Sequence, residues 1–230
     1  MIRISILCLL SACVLTFAQI DGSYFGVYGT LSIPLDDFGD DDVFLQSNNR
    51  DESGFATFGF GAGVNFSLPI GIEYVQWSSD ILFFAHLFSE DKAENDPVLQ
   101  NASDISGGTY FFLPFLSGIR GYFPVNSDFG VFGFGQLGVS VIMQQTLDAD
   151  GSVFGYPVST ETEFEPTPAF TWSLGSGVII NDQVSIGFRY LNMDDPAVDY
   201  TVSSGSSSNS GEREFDISMF QIFIGFNFGL

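Results

Sequence analysis

From Phe220 onward the even positions Phe220, Ile222, Ile224, Phe226, Phe228 and Leu230 are large and apolar, and Gln221, Phe223, Gly225, Asn227 and Gly229 alternate with them. That is a period of two, the pattern of a strand whose successive side chains point to opposite faces. A strand of this length, tilted by about 40°, covers about 25 to 30 Å, the height of a bilayer's hydrocarbon band. The alternation recurs upstream and predicts strands over 23–33, 54–66, 72–88, 109–123, 129–145, 167–180 and 184–193 before the last one, 214–230. In 54–66 it is especially regular, with Ala56, Phe58, Phe60, Ala62, Val64 and Phe66 on one face and Thr57, Gly59, Gly61, Gly63 and Asn65 on the other.

The connections follow a rule. Long polar stretches at 34–53, 89–107, 146–165 and 194–213 alternate strictly with short turns at 67–71, 124–128 and 181–183. Eight strands joined this way predict an all-β fold, an eight-stranded antiparallel up-and-down transmembrane β-barrel with short periplasmic turns and long extracellular loops. A soluble barrel shares the alternation but buries its large side chains. Here Phe58, Phe60, Phe170, Trp172, Phe188 and Phe226 lie on the continuous apolar face, opposite a face of Gly, Ser, Thr, Asn and Gln, so the greasy side faces lipid.

Composition is consistent with one barrel. The chain has 230 residues and 26 glycines, and no window reaches the 18 or more uncharged apolar residues that begin to suggest a membrane helix. Arg3, the apolar run from Ile4 to Phe17 and the small-x-small triplet Thr16-Phe17-Ala18 predict a signal peptide over 1–18 and a barrel over 19–230. Leu10-Ser11-Ala12-Cys13 offers an alternative, since it resembles a lipobox with Cys13 as the lipidated residue. The apolar stretch after Cys13 argues for cleavage after Ala18. Cys8 and Cys13 both lie in this leader, so the mature chain would hold no disulfide or thiolate site.

The end of the chain carries a resemblance. Phe223 to Leu230, with Gly225, Phe228 and the apolar terminus Leu230, is similar to the sorting signal of bacterial outer-membrane barrels, which usually end in Phe or Trp and prefer a polar residue where Phe223 stands. With the leader ending at Ala18-Gln19 and the eight-strand layout, the chain resembles the small outer-membrane barrel family that includes the OmpA transmembrane domain and OmpX. The resemblance implies export to the bacterial outer membrane, contact with its lipid, recognition by the assembly machinery through the C-terminal strand, and a lumen packed with side chains.

Charge narrows the partners. Without Arg3, five basic residues face 28 acidic ones, a net of −23 that repels phosphates and excludes nucleic acid. Of the 28 acids, 23 fall in or beside the four long loops. A solvated, self-repelling crown explains them. Capture of divalent cations is the sharper expectation, with Asp40, Asp41 and Asp42 as the candidate calcium ligands.

Inside the barrel the rare residues matter. Arg189 lies between outward Phe188 and Tyr190, and Arg120 is out of phase with Phe111, Leu113, Phe115 and Ile119, so both arginines point inward. An arginine facing lipid near mid-membrane would cost roughly 2 to 4 kcal/mol. Asp80, Glu73, Gln136 and Ser140 are the expected partners of a structural lumenal cluster, with the periplasmic rim as the alternative place for Glu73.

Enzyme chemistry finds little support. His86 is the single histidine, expected at the outer rim of the third strand, and no His–Ser pair occurs on a late strand as in the lipid A deacylases. Gly133-Phe134-Gly135-Gln136-Leu137-Gly138 matches GxGxxG but lies within one strand. No cofactor is implied. The expected function is non-catalytic, an envelope structural or surface-interaction protein acting through acidic loops. The alternatives are a small porin for ions or solutes and, third, a lipid-modifying enzyme. The sequence names no extracellular ligand.

Overall fold

Period-two alternation becomes strand wherever the sequence carries it, and strand also forms where it does not. The computed structural model describes residues 23–40, 53–89, 91, 102–153, 156–205 and 207–229. The leader 1–18, Asp41, Asp42 and Leu230 lie outside the described residues. In chain order the elements are β1 (Tyr24–Leu35), the helical turn α1 (Asp36–Gly39), β2 (Ala56–Pro69), β3 (Val75–Phe88), β4 (Ala102–Gly107), β5 (Tyr110–Pro124) and β6 (Phe129–Gln144). They continue with β7 (Leu147–Val153), β8 (Tyr156–Phe164), β9 (Thr167–Ile180), β10 (Val184–Met193), β11 (Ala197–Ser204), β12 (Ser207–Glu214) and β13 (Ile217–Gly229).

Eight of these strands close into a barrel in the order β1-β13-β10-β9-β6-β5-β3-β2. The seam is complete, since β1 pairs antiparallel with β13 from Tyr24↔Gly229 to Leu35↔Ser218 and with β2 from Tyr24↔Ser67 to Ser32↔Gly59. Closure leaves no unpaired edge, the condition for crossing hydrocarbon with strands. The outer surface is the predicted apolar face: Leu31 and Leu137 are each 60% exposed and Phe58 63%. So much exposed hydrocarbon is what lipid contact requires and what water would penalise.

The inner face is filled by rings lying across glycines. Phe134 pairs with Gly175, Phe132 with Gly177 and Phe223 with Gly187. A Cβ on those glycines would sit 2.3, 2.6 and 2.5 Å from the respective ring Cζ atoms. Only a bare backbone lets each ring lie flat on the neighbouring strand.

At one end the strands join by short turns. Asn181 and Asp182 both take positive φ, 51° and 56°, and the Gln183 N–H donates to the Ile180 carbonyl at 3.1 Å. These are residues that tolerate the left-handed region in tight hairpins. The turn between β2 and β3 lies later than the sequence predicts. Strand β2 runs through Pro69, Gly71 (φ 80°) and Tyr74 (φ 63°) make the reversal, and β3 begins at Val75 rather than at residue 72.

At the other end the expectation of simple polar loops is corrected. The second, third and fourth long connections form a five-stranded sheet, β12-β11-β8-β7-β4. It stands on the barrel strands β13, β10, β9, β6 and β5 in the same order. Register is carried through the break on several seams. On β10 and β9 the pairing is Met193↔Thr171, and seven residues further along each chain segment it is Tyr200↔Phe164. Likewise Ile142↔Thr167 is followed by Leu147↔Thr162, five residues on. The barrel is thus extended by a wall on five of its eight strands.

Candidate functional site

The lower lumen, toward the short turns, holds the polar cluster. β3 places Asp80, β10 places Arg189, and their side chains form an ion pair, each residue only 3% exposed. Asn65 on β2, paired with Asp80 in register, donates to the same carboxylate and to Ser78 Oγ at 2.9 Å. Ser67 Oγ donates to Asn65 Oδ1 at 3.1 Å, and Ser173 Oγ to Gln136 Oε1 at 3.2 Å. Arg189 also packs its guanidinium 5.0 Å from the Phe134 ring centre. A buried charge pair of this kind is stable only because further hydrogen bonds satisfy its remaining lone pairs and protons.

Arg120 points inward too, yet among the described residues it meets no carboxylate. Its Nη1 donates to Tyr24 Oη, and its guanidinium stacks 3.8 Å from the Phe132 ring centre. Gln136 reaches Ser78 at 3.4 Å rather than either arginine, and Ser140 bonds Thr171 at 2.6 Å. Glu73 is not part of the cluster, which corrects its expected place there in favour of the rim alternative. It sits exposed in the turn before β3, because the positive φ of Tyr74 ends the reversal beyond it. There it accepts a hydrogen bond from Tyr74, raising that phenol above its ordinary range through the bond and the adjacent charge.

The upper lumen is crowded with rings around a few satisfied polar groups and is closed from above. α1 folds back so that Phe38 is fully buried, its ring centre 5.0 Å from His86, 5.2 Å from Tyr110 and 5.5 Å from Phe112. Gly54 allows this approach, since a Cβ there would lie 2.6 Å from the Phe38 carbonyl oxygen. His86 is a lumen residue, not a rim residue, and is completely buried. Nδ1 lies 2.7 Å from the Thr57 carbonyl, so it carries the proton, and Nε2 accepts from Ser32 Oγ at 2.9 Å. The Ser–His geometry resembles that of an activated nucleophile, but Ser32 is 1% exposed and Phe38 seals the pair from above. It satisfies a buried histidine.

Arg213 is a buried tie between connections that sequence reasoning missed. Placed at the foot of β12, it is 1% exposed, donates from Nη2 to the Ser53 carbonyl at 2.7 Å and from Nη1 to Tyr110 Oη at 3.3 Å, and stacks 4.4 Å from the Phe215 ring centre. It ties the first long connection to the fourth. A lone arginine at the end of a Ser- and Gly-rich stretch was the available signal.

The wall has two chemistries. Its concave side carries Val198, Tyr200, Val202, Phe164, Leu147 and Ile105, while its outer side carries acids. Three carboxylate pairs are directly opposed across strands, Asp199↔Glu212, Asp148↔Glu161 and Asp104↔Asp150, and all six residues are exposed. Like charges facing each other on a sheet repel. The calcium candidate Asp40 is exposed at the end of α1, and among the described residues no group of three or more His, Cys, Asp or Glu side chains is arranged to hold a metal ion. Of the C-terminal signal, Gly225 faces the lumen, where a Cβ would lie 2.7 Å from the Tyr28 Cβ, and Phe228 faces outward, 54% exposed.

A second acidic group sits at the barrel rim. Partial burial, opposed by the hydrogen bond from Asn192 at 2.7 Å, and the charges of Asp195, Asp36 and Asp37 hold the Asp216 carboxyl above the usual carboxylate range. A raised folded-state value means that ionised Asp216 destabilises the fold at neutral pH, and that this cost disappears as pH falls from the raised value to below about 3.9. Asp216→Asn, which keeps the acceptor for Asn192, is therefore expected to stabilise the barrel at neutral pH and to lose that advantage on acidification. Urea unfolding of both forms across pH checks it; a constant difference would sink the idea.

Residues 4–228 match the family described as "Outer membrane protein beta-barrel domain". No curated protein sequence matches the chain. Among solved structures, the outer membrane protein OprG from Pseudomonas aeruginosa is similar in fold, with a TM-score of 0.52 and 12% identity, covering 93% of this chain and 100% of that one. The attachment invasion locus protein Ail of Yersinia pestis gives a TM-score of 0.44 and 14% identity over 91% and 100%. Neisserial surface protein A gives 0.43 and 10% over 90% and 97%.

Proposed function

The chain belongs to the outer membrane protein beta-barrel domain family, and on that premise we propose that it is a non-catalytic barrel acting at the cell surface, where the strand wall presents a carboxylate array to cationic partners. The reading rests on the three opposed carboxylate pairs of the wall's outer face. Basic protein surfaces or divalent cations relieve their repulsion, and folding the loops into a sheet fixes the spacing at which a partner meets them. Neutralising one member of each pair, Asp104→Asn, Asp148→Asn and Asp199→Asn together, is expected to weaken salt-sensitive binding of polylysine to the folded barrel by roughly tenfold or more. Equal binding by both forms would sink the proposal. Calorimetric titration with calcium tests the divalent cation arm, and no heat at millimolar concentration would remove it.

A packed lumen argues against the porin alternative. The cavity in the lower lumen is about 20 Å³, room for a single water, and Phe38 caps the upper part. In planar bilayers the protein is expected to be silent at ordinary voltages. Steady openings would overturn that and favour the pore.

A further inference from the structure

The lower lumen carries more positive than negative charge in a protein whose net charge is −22. Arg120 and Arg189 face the same small cavity, and Asp80, the carboxylate that lines it with them, is taken by Arg189. Four buried nitrogen atoms on the cavity's lining residues have no hydrogen-bond partner among the described residues: Nε and Nη2 of Arg120, Nε of Arg189 and Nδ2 of Asn227. All four are donors. Arg120 is only 5% exposed. A buried guanidinium with one phenol bond and two idle N–H edges is unstable unless something accepts from it.

We propose that this cavity is a binding site for a monatomic anion of chloride size, held by Arg120, Arg189 and Asn227 and supplying the missing negative charge. Three physical arguments select that class. The space of about 20 Å³ admits one water-sized sphere and excludes phosphate or a carboxylate-bearing metabolite. Water fits by volume, but it brings two protons that need acceptors and no charge, whereas the idle groups on the cavity's own lining are donors around a surplus cation; the idle acceptor Gln76 Oε1 belongs to the vestibule. The neighbouring rings of Phe132, Phe134 and Phe223 keep the site dry, which strengthens the attraction.

The route in is on the periplasmic side. Asn227 lines both the cavity and a vestibule of about 640 Å³ that opens among the short turns. Tyr24, the hydrogen-bond partner of Arg120, and Gln76, opposite Arg120 in register, line the same vestibule. An anion from the periplasm therefore meets Tyr24 and Asn227 before it reaches the guanidinium.

The test is halide dependence of the folded barrel in detergent. At constant ionic strength, sodium chloride in place of sodium gluconate is expected to raise the heat-modification midpoint by about 3 °C or more, saturably. Arg120→Gln, which removes the surplus charge, is expected to abolish the difference while the protein still migrates as a compact species. No chloride effect on the unaltered chain, or an unchanged effect in the variant, would overturn the proposal. Should the variant fail to fold, crystals of the unaltered chain grown in sodium bromide decide: an anomalous peak beside Arg120 and Asn227 supports the site, and a map without one refutes it.

Discussion

Asp80→Ala is expected to destabilise the barrel by about 3–5 kcal/mol, the usual consequence of leaving one member of a buried ion pair alone. Asp80 is the carboxylate that faces Arg189, and Asn65 donates to it as well. Its loss strands the Arg189 guanidinium and takes an acceptor from the Asn65 amide in a lumen whose walls are rings and glycines. Urea unfolding in lipid vesicles, followed by Trp77 and Trp172 fluorescence, measures the change. Asp80→Leu with Arg189→Leu is expected to recover most of it, since a matched apolar replacement removes both charges at once. A loss below about 1 kcal/mol for Asp80→Ala would mean that water reaches the pair and that the lumen is not dry.

Phe38→Ala should have a comparable local effect with a different outcome. Deleting a fully buried ring costs about 3–5 kcal/mol, and in this protein the ring belongs to a single helical turn rather than to the barrel. The eight-stranded ladder does not depend on α1, so the expected response is release of α1 while the barrel stays folded. Ser32→Cys reports it. The thiol, beneath Phe38 and beside His86, is expected to resist maleimide when Phe38 is present and to react in the Phe38→Ala background. Equal reactivity in both would show that something other than Phe38 covers the mouth.

The barrel was legible because its energetics repeat along the chain. Lipid on one side and a narrow lumen on the other impose the same alternation on every strand, so Phe58, Phe188 and Phe226 could be oriented from spacing alone. Arg120 and Arg189 could be turned inward for the same reason. The wall was not legible as a sheet, because outside the membrane neither face needs to be continuously apolar. β12 reads Ser-Ser-Asn-Ser-Gly-Glu-Arg-Glu, with no hydrophobic signal at all. β11 did carry one, Val198, Tyr200 and Val202 at period two. Glu73 was misplaced because a carboxylate two residues ahead of a strand is indistinguishable, by composition, from one within it. The plug by Phe38 was hidden because a single aromatic in an acidic loop gives no periodicity to read.

The register that runs on from barrel into wall along several seams has a mechanical meaning. A partner that grips the wall and is dragged along the cell surface pulls on strands that run on into the membrane, such as β8 into β9 and β10 into β11. The load then acts along the strands, so the cross-strand hydrogen bonds of whole ladders are sheared together instead of being peeled one by one. Flexible loops would stretch first and pass little tension downward. On the proposed reading the wall is a continuation of the barrel's ladders, and a load taken up by it is borne by the barrel itself.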